Sequence, residues 1–179
     1  AKSEVPDKSA DKSASTRGCE ARIIGRFRPA YSMIVNDDDN RALRNALGRF
    51  ATGVAVVTAI DPDGHPVGLT VNSFSAVSLN PPLVLWCLDN TSHNLAAFRR
   101  AGHHAINVLA AGQLDLSNRF ATWPVDRFAG LHWHPGFGGA PLLPGCCASF
   151  EVANEAAHPG GDHTIFVGRV ERFGEAPAM

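Results

Sequence analysis

Hydroxyl and amide side chains are concentrated in residues 68–94, beside apolar residues at alternating positions. Two consecutive prolines at 81 and 82 fix a corner in the backbone before the apolar run at 83–88. Such a surface offers apolar contact for the rings of a flat ligand and hydrogen bonds for its polar edge. This stretch therefore predicts a binding wall for a flat aromatic ligand. The polar groups belong to Thr70, Asn72, Ser73, Ser75 and Ser78.

Residues 90–93 form a second candidate site, at a point where a predicted strand runs into a helix N-terminus. Thr91 and Ser92 offer hydroxyl groups beside backbone N–H groups that a helix leaves unpaired. This combination binds phosphate groups in many proteins. A simple helix cap by Ser92 explains the pattern equally well, so both interpretations stay open.

Among the eight histidines, His163 is the best candidate for contact with a substrate. It follows a flexible turn at 158–162 and begins an apolar strand, so we expect its ring to project from a barrel rim. A local hydrogen bond between this ring and Asp162 is the alternative interpretation. His132 and His134 would share one strand face, but no third ligand follows at a fixed spacing, so we expect no metal site.

Motifs of several enzyme classes are absent from the sequence. It has no nucleophile elbow, no phosphate-binding P-loop, no G-x-G-x-x-G fingerprint and no zinc-protease H-E-x-x-H. The glycines at 136, 138 and 139 are flanked by prolines and indicate a bent loop. The sequence therefore argues against a Rossmann nucleotide site.

Composition favours one domain that binds a small molecule. The 179 residues are 45% hydrophobic, enough for a single core, and 16 basic against 17 acidic residues exclude a strongly basic nucleic-acid surface. We expect residues 1–36 to be an extension whose first half is disordered, and residues 37–179 to be the domain. Four cysteines without a C-x-x-C pattern, and no apolar run of ~20 residues, predict a cytoplasmic protein with reduced thiols.

The elements that must position these residues are mainly strands. The turns between them are too short for parallel crossovers, which predicts a mainly β fold: an antiparallel split β-barrel of six or more strands with short flanking helices. The strand at 83–89 is apolar at nearly every position and is predicted to be buried on both faces. Other strands are expected at 54–60, from 68, at 103–110, 146–154 and 163–173, and helices from Asn40 to about 52–53, at 93–102 and at 113–121.

Four motifs, in order, resemble those of the flavin reductase family, the short-chain reductase components of two-component flavin-dependent monooxygenases. The similarity extends over about residues 40–173. The motifs are RFATGVAVVTA at 49–59, GLTVNSFSAVSLNPPLVLWCLD at 68–89 with SHN at 92–94, DRFAG at 126–130 and GGDHTIFVGRV at 160–170.

The resemblance implies a split β-barrel that binds FMN, or FAD in some members, as a homodimer with the flavin near the subunit interface. NADH or NADPH reduces the flavin, which then leaves for a separate monooxygenase; NADH is the expected donor. By position, the flavin would contact Thr70, Val71, Asn72, Ser73, Ser78 and Ser92. The nicotinamide would contact Phe128, Gly161, Asp162 and His163, with His163 as the catalytic residue.

This activity agrees with the absence of other catalytic motifs. Hydride transfer between stacked rings requires the protein to hold two faces ~3 to 3.5 Å apart and to exclude water, without a nucleophile or strong base. Two alternatives stay open. One is a non-catalytic split-barrel carrier or sensor of flavin or haem, which the histidines at 132 and 134 motivate. The other is an enzyme that retains its flavin as a prosthetic group.

Overall fold

The computed structural model describes residues 40–122 and 126–176, and the chain divides into two compact units between Arg49 and Phe50. Our prediction for residues 1–36 lies outside the described residues, and the domain boundary at residue 37 stays a prediction. Within the described ranges, no helix is long and apolar enough to cross a membrane.

The described part of the first unit contains the helix α1 (Asn40–Leu47). It begins where predicted but ends earlier than the expected 52–53, so that prediction was wrong. Glycine is ~1 kcal/mol less favourable than alanine in a helix, and Gly48 follows the last helical residue. The Arg49 N–H bonds to the Ala46 carbonyl only three residues back, at 3.1 Å, which tightens the last turn and ends the helix.

The second unit is built on one seven-stranded sheet with the order β2-β1-β5-β8-β9-β4-β3. Every neighbouring pair in it is antiparallel, which confirms the predicted mainly β, antiparallel class. Two helices flank it, α2 (Leu95–Arg100) and α3 (Leu114–Ala121). The strands are β1 (Ala55–Ile60), β2 (Pro66–Val71), β3 (Ser75–Leu79), β4 (Pro82–Asp89), β5 (His103–Val108), β8 (Ala148–Gly160) and β9 (His163–Glu175); β6 (His134–Pro135) and β7 (Pro141–Leu142) form a separate pair.

The central stretch contains three strands where two were predicted. The unexpected strand, β3, lies at the sheet edge, and none of its residues is buried, including the apolar Val77 and Leu79. The prediction that β4 is buried on both faces was also wrong. Val84, Trp86 and Leu88 are buried, while the alternate side chains are partly exposed. The reason is that β4 packs on the core with one face only.

The strands β8 and β9 form a hairpin that is longer than the sequence predicted. Residues 155–160, predicted as a connection, continue β8 through two register irregularities, and only Gly161 and Asp162 remain at the tip. Gly161 has φ of 70°, a conformation that glycine adopts without strain. The hairpin therefore carries residue 163 to one end of the sheet.

An aromatic cluster fills the core. The rings of Trp86 and Phe166 stack with centroids 4.6 Å apart, and Phe98 of α2 meets Trp86 edge-on at 5.0 Å. In the same helix Ala96 is exposed, because the short helix turns Phe98 toward the core. His104 lies among these rings, 1% exposed, with its Nε2–H donating to the Phe98 carbonyl at 3.1 Å.

Burial strongly disfavours a charge on His104. Desolvation lowers its pKa from 6.5 to about 4, outweighing the hydrogen bond to Phe98. The unfolded chain binds this proton below pH 6.5, and the folded chain does not until pH is near 4. Stability is therefore complete above pH 6.5 and is lost as pH falls from there to about 4.

We expect His104→Gln to remove part of this acid sensitivity. The shift corresponds to about 3 kcal/mol in the free energy of unfolding. Chemical denaturation at several pH values between 4 and 7 would show a shallower decline for this variant than for the wild type. His158→Gln, at an exposed position, is the matched control and should follow the wild type. Parallel curves for all three proteins would contradict the assignment.

Candidate active site

A cleft of about 630 Å³ opens where the end of β2, the end of β4, the β8–β9 tip and α3 meet. Six of the predicted site residues line it, which brings together two distant motifs of the sequence. These residues are Thr70, Val71, Asn72, Ser73, Ser92 and His163. The volume lies within the ~300 to 1,000 Å³ of small-molecule sites.

Two hydroxyl groups of this wall are engaged by the protein itself. The Thr70 hydroxyl donates to the carbonyl of Ser117 in α3 at 2.7 Å. The Ser73 hydroxyl accepts from the Cys87 N–H at 2.9 Å and donates to the Cys87 carbonyl at 3.3 Å. These hydrogen bonds fix the wall to α3 and β4. Because the two hydroxyls are already engaged, the backbone groups of the wall are more available to a ligand than the hydroxyls are.

Asn72 differs from its neighbours. It is exposed, follows the last residue of β2, and its amide makes no hydrogen bond to any residue in ranges 40–122 and 126–176. It follows that Asn72 offers both a donor and an acceptor to a bound molecule.

His163 begins β9 and pairs in register with Asp89 of β4. Its Nδ1 lies 2.7 Å from Asp162 Oδ1, and its side chain is 41% exposed while lining the cleft. The local hydrogen bond to Asp162 is therefore present, and it orients the ring while leaving Nε2 available in the cleft. Contact between His163 and a substrate stays a prediction.

The turn between β4 and α2 satisfies many of its own polar groups. Asp89 Oδ1 accepts from the N–H and the hydroxyl of Thr91, both at 2.7 Å. The Ser92 hydroxyl accepts from the Asn94 N–H at 3.3 Å. The N-cap of α2 is Asn94, and no side chain caps this helix, so the Ser92 hydroxyl supports the turn and the capping interpretation was wrong. A phosphate site at residues 90–93 stays a prediction.

Four predicted residues lie outside the cleft lining. Ser78 is in the β3–β4 hairpin, where its hydroxyl donates to the Pro81 carbonyl. Phe128 lines an adjacent pocket of about 200 Å³ and packs edge-on against Phe120 with centroids 5.1 Å apart. Gly161 and Asp162 form the exposed hairpin tip. Their proposed ligand contacts stay predictions.

Sequence reasoning missed Arg127, which lines both the cleft and the adjacent pocket. Its guanidinium donates to the Gly68 carbonyl at 2.7 Å and to the Thr122 carbonyl, and partial burial lowers its pKa. Leu69 belongs to the predicted apolar wall, but the contributions of Phe120 and Ile165 to that wall were also missed. Arg127 belongs to the DRFAG motif that was identified in the sequence, but the motif alone did not show where its guanidinium would lie.

The described residues contain no activated nucleophile in the cleft. Burial raises the pKa of the Cys87 thiol, more than its hydrogen bond with Ser73 lowers it, so the thiol stays protonated. No three His, Cys, Asp or Glu side chains of ranges 40–122 and 126–176 come together to hold a metal. His132 and His134 are both exposed and do not line the cleft. The arrangement binds and orients molecules.

Comparison with known proteins identifies the family. A family model described as "Flavin reductase like domain" matches residues 47–178. The chain belongs to the flavin reductase family. This confirms the resemblance found in the four motifs. A solved structure of the family, the NADH:FAD oxidoreductase SgcE6 of Streptomyces globisporus, in complex with NAD and FAD fragments, superimposes with a TM-score of 0.75 at 40% identity. The alignment covers 82% of this chain and 88% of SgcE6, which confirms the split-barrel fold.

Curated relatives carry related names. The FMN reductase (NADH) SmoA of Agrobacterium fabrum is 52% identical over 79% of this chain and 80% of its own length. The flavin-dependent monooxygenase reductase subunit HsaB of Rhodococcus jostii is 44% identical, covering 76% of this chain and 70% of HsaB. A probable flavin reductase of Rhizobium meliloti is 50% identical over 75% of this chain, which spans only 43% of that protein.

Replacement of Asn72 and of Ser73 by alanine should separate ligand binding from support of the wall. We expect Asn72→Ala to raise the dissociation constant for FMN about fivefold, the equivalent of about 1 kcal/mol for one hydrogen bond, with an unchanged melting temperature. Ser73→Ala should lower the melting temperature, because the backbone groups of Cys87 lose their partner. Flavin fluorescence quenching and thermal unfolding give the two measurements. An unchanged FMN affinity in Asn72→Ala would contradict the assignment.

Proposed function

We propose that this protein is an NADH:flavin oxidoreductase that supplies reduced flavin to a separate monooxygenase. The observation that carries the proposal is the cleft itself, which joins the polar end of β2 to His163 at the tip of the β8–β9 hairpin. Membership of the flavin reductase family supports the same reaction. The whole activity is our proposal, since some relatives are more than twice as long as the aligned part of this chain.

The residues of the cleft fit a flavin. A flat, mostly apolar ring system with a polar edge matches a wall of Leu69, Phe120 and Ile165 that faces the hydrogen-bonding end of β2. Residues 72–74 lie between the paired registers of β2 and β3, so their backbone groups are not all engaged in the sheet. Asn72 and these backbone groups would hold the polar edge.

The chain's own contribution to the reaction is positioning and exclusion of water. When bound, the flavin supplies a ring system that accepts a hydride from NADH. The apolar wall excludes water from the face on which the two molecules meet. Asp162 holds the His163 ring through Nδ1. We assign the free edge of that ring to contact with the nicotinamide. No protein group needs to give up a proton.

FMN and NADH are the preferred substrates in this proposal. Support comes from the name of SmoA, an FMN reductase that uses NADH, at 52% identity. SgcE6 is named for FAD and NADH, so its name supports the same hydride donor and a different flavin. We therefore propose NADH as the donor, with FMN ranked ahead of FAD.

The partners follow from the same comparisons. HsaB is a reductase subunit of a flavin-dependent monooxygenase, which supports a separate oxygenase as the acceptor of reduced flavin here. We further propose a homodimer. The edge strand β3 exposes Val77 and Leu79, the latter 92% exposed, and a second copy would cover them. Sedimentation as a monomer would contradict the dimer.

The test is NADH oxidation in air by flavin-free protein, with FMN, FAD or no flavin added. We expect saturable, flavin-dependent oxidation with a lower KM for FMN than for FAD, followed at the NADH absorbance. If NADH persists with both flavins while the protein binds one, the fold serves as a carrier. Retention of flavin through dialysis would instead indicate a prosthetic group.

His163→Ala provides the internal comparison in this assay. Turnover with NADH should fall more than the affinity for flavin, because the ring is assigned to the nicotinamide. An unchanged rate would remove His163 from the site and leave the reductase activity standing.

A further inference from the structure

Asn90 contacts the residues on both sides of His163. Its backbone N–H donates to the Asp162 carbonyl at 2.9 Å, and its side-chain Nδ2 donates to the Gly161 carbonyl at 3.3 Å. Its Oδ1 accepts from the Thr164 hydroxyl at 2.7 Å. One asparagine on the β4–α2 turn thus holds three residues of the hairpin tip and brackets the histidine between them.

The Thr164 hydroxyl extends this network to α2. It accepts from Arg99 Nη2 at 2.9 Å while it donates to Asn90, so the direction of both hydrogen bonds is fixed. Thr164 is buried, with 1% of its surface exposed. The remaining connection is the ladder pair between Asp89 and His163. Helix α2, the turn and the hairpin tip are joined through two side chains.

A hairpin tip without such support would vary in position. Gly161 has a positive φ and open space around it, and the tip residues are exposed, so little packing restrains them. Hydride transfer is sensitive to misplacement, since a 1 Å error can cost ~100-fold in rate. The hydrogen bonds from Asn90 therefore restrain the segment whose position matters most for His163.

We propose that Asn90 is a positioning residue, which sets the location of His163 in the cleft through Gly161, Asp162 and Thr164. The inference rests on the proposed function, because it assigns His163 to the nicotinamide. Asn90 does not line the cleft, so its effect on the reaction passes through His163 and not through contact with a ligand. Its side chain is at an exposed position, so its replacement should leave the fold intact.

The test is a double-mutant cycle with Asn90→Ala, His163→Ala and the double variant, in NADH oxidation with saturating FMN. We expect Asn90→Ala to lower kcat/KM for NADH about tenfold, below the ~100-fold limit for a 1 Å displacement. The dissociation constant for FMN should stay that of the wild type, whereas the melting temperature should fall modestly, because the buried Thr164 hydroxyl loses its acceptor. In the His163→Ala background, Asn90→Ala should have no further effect.

Two further variants test the hydrogen bonds of the Thr164 hydroxyl. Thr164→Val removes the hydroxyl and should reproduce the loss in kcat/KM, while Thr164→Ser keeps the hydroxyl and should retain the wild-type value. Asn118→Ala, at an exposed position of α3, is the matched control for loss of an asparagine. It should leave all parameters unchanged.

An equal loss from Asn90→Ala with and without the His163 ring would overturn the inference, as would a change confined to the melting temperature. An unchanged rate in His163→Ala would overturn it too, because no ring would need positioning. Absence of NADH oxidation by the wild type with either flavin would instead overturn the proposed function.

Discussion

The pairing of β9 with both β8 and β4 determines the position of nearly everything else in this protein. Twelve residue pairs join β8 to β9, and seven join β9 to β4. Side chains alternate between the faces of a strand, so a slip of one residue would exchange the core and outer faces of β9. The register that buries Phe166 is therefore the same one that places His163 at the cleft. Stability of the core and geometry of the site depend on one alignment.

The cleft shows how polar groups can be shared between support and binding. Hydroxyls that look like ligand contacts in the sequence, those of Thr70 and Ser73, are hydrogen-bonded to neighbouring backbone. A buried hydroxyl without a partner costs ~1 to 3 kcal/mol, so a wall rich in such groups is stable only when most of them are satisfied internally. Asn72, at an exposed position, avoids that cost in the absence of ligand. The same composition thus provides a firm wall and one adaptable contact.

The sequence predicted most of the architecture and part of the site. Runs of apolar and β-branched residues located β1 and β5 within two residues, because local propensity and burial agree there. It missed β3, an exposed edge strand whose pairing depends on β4 and not on its own side chains. It could not show that Arg127 lines the cleft or that Asn90 holds the hairpin tip, since both contacts join segments separated by tens of residues.

The chemistry of the cleft also determines how this protein should respond to pH. Hydride transfer needs no proton from the protein, and the cleft thiol is kept neutral by burial. His104, whose pKa burial lowers to about 4, lies in the aromatic core, where its charge opposes folding, and it does not line the cleft. His104 therefore makes the stability of the barrel sensitive to acid. The lining of the cleft includes Asp89, Arg127 and His163, whereas His104 lies in the aromatic core, so the group that makes folding sensitive to acid is separate from the binding surface.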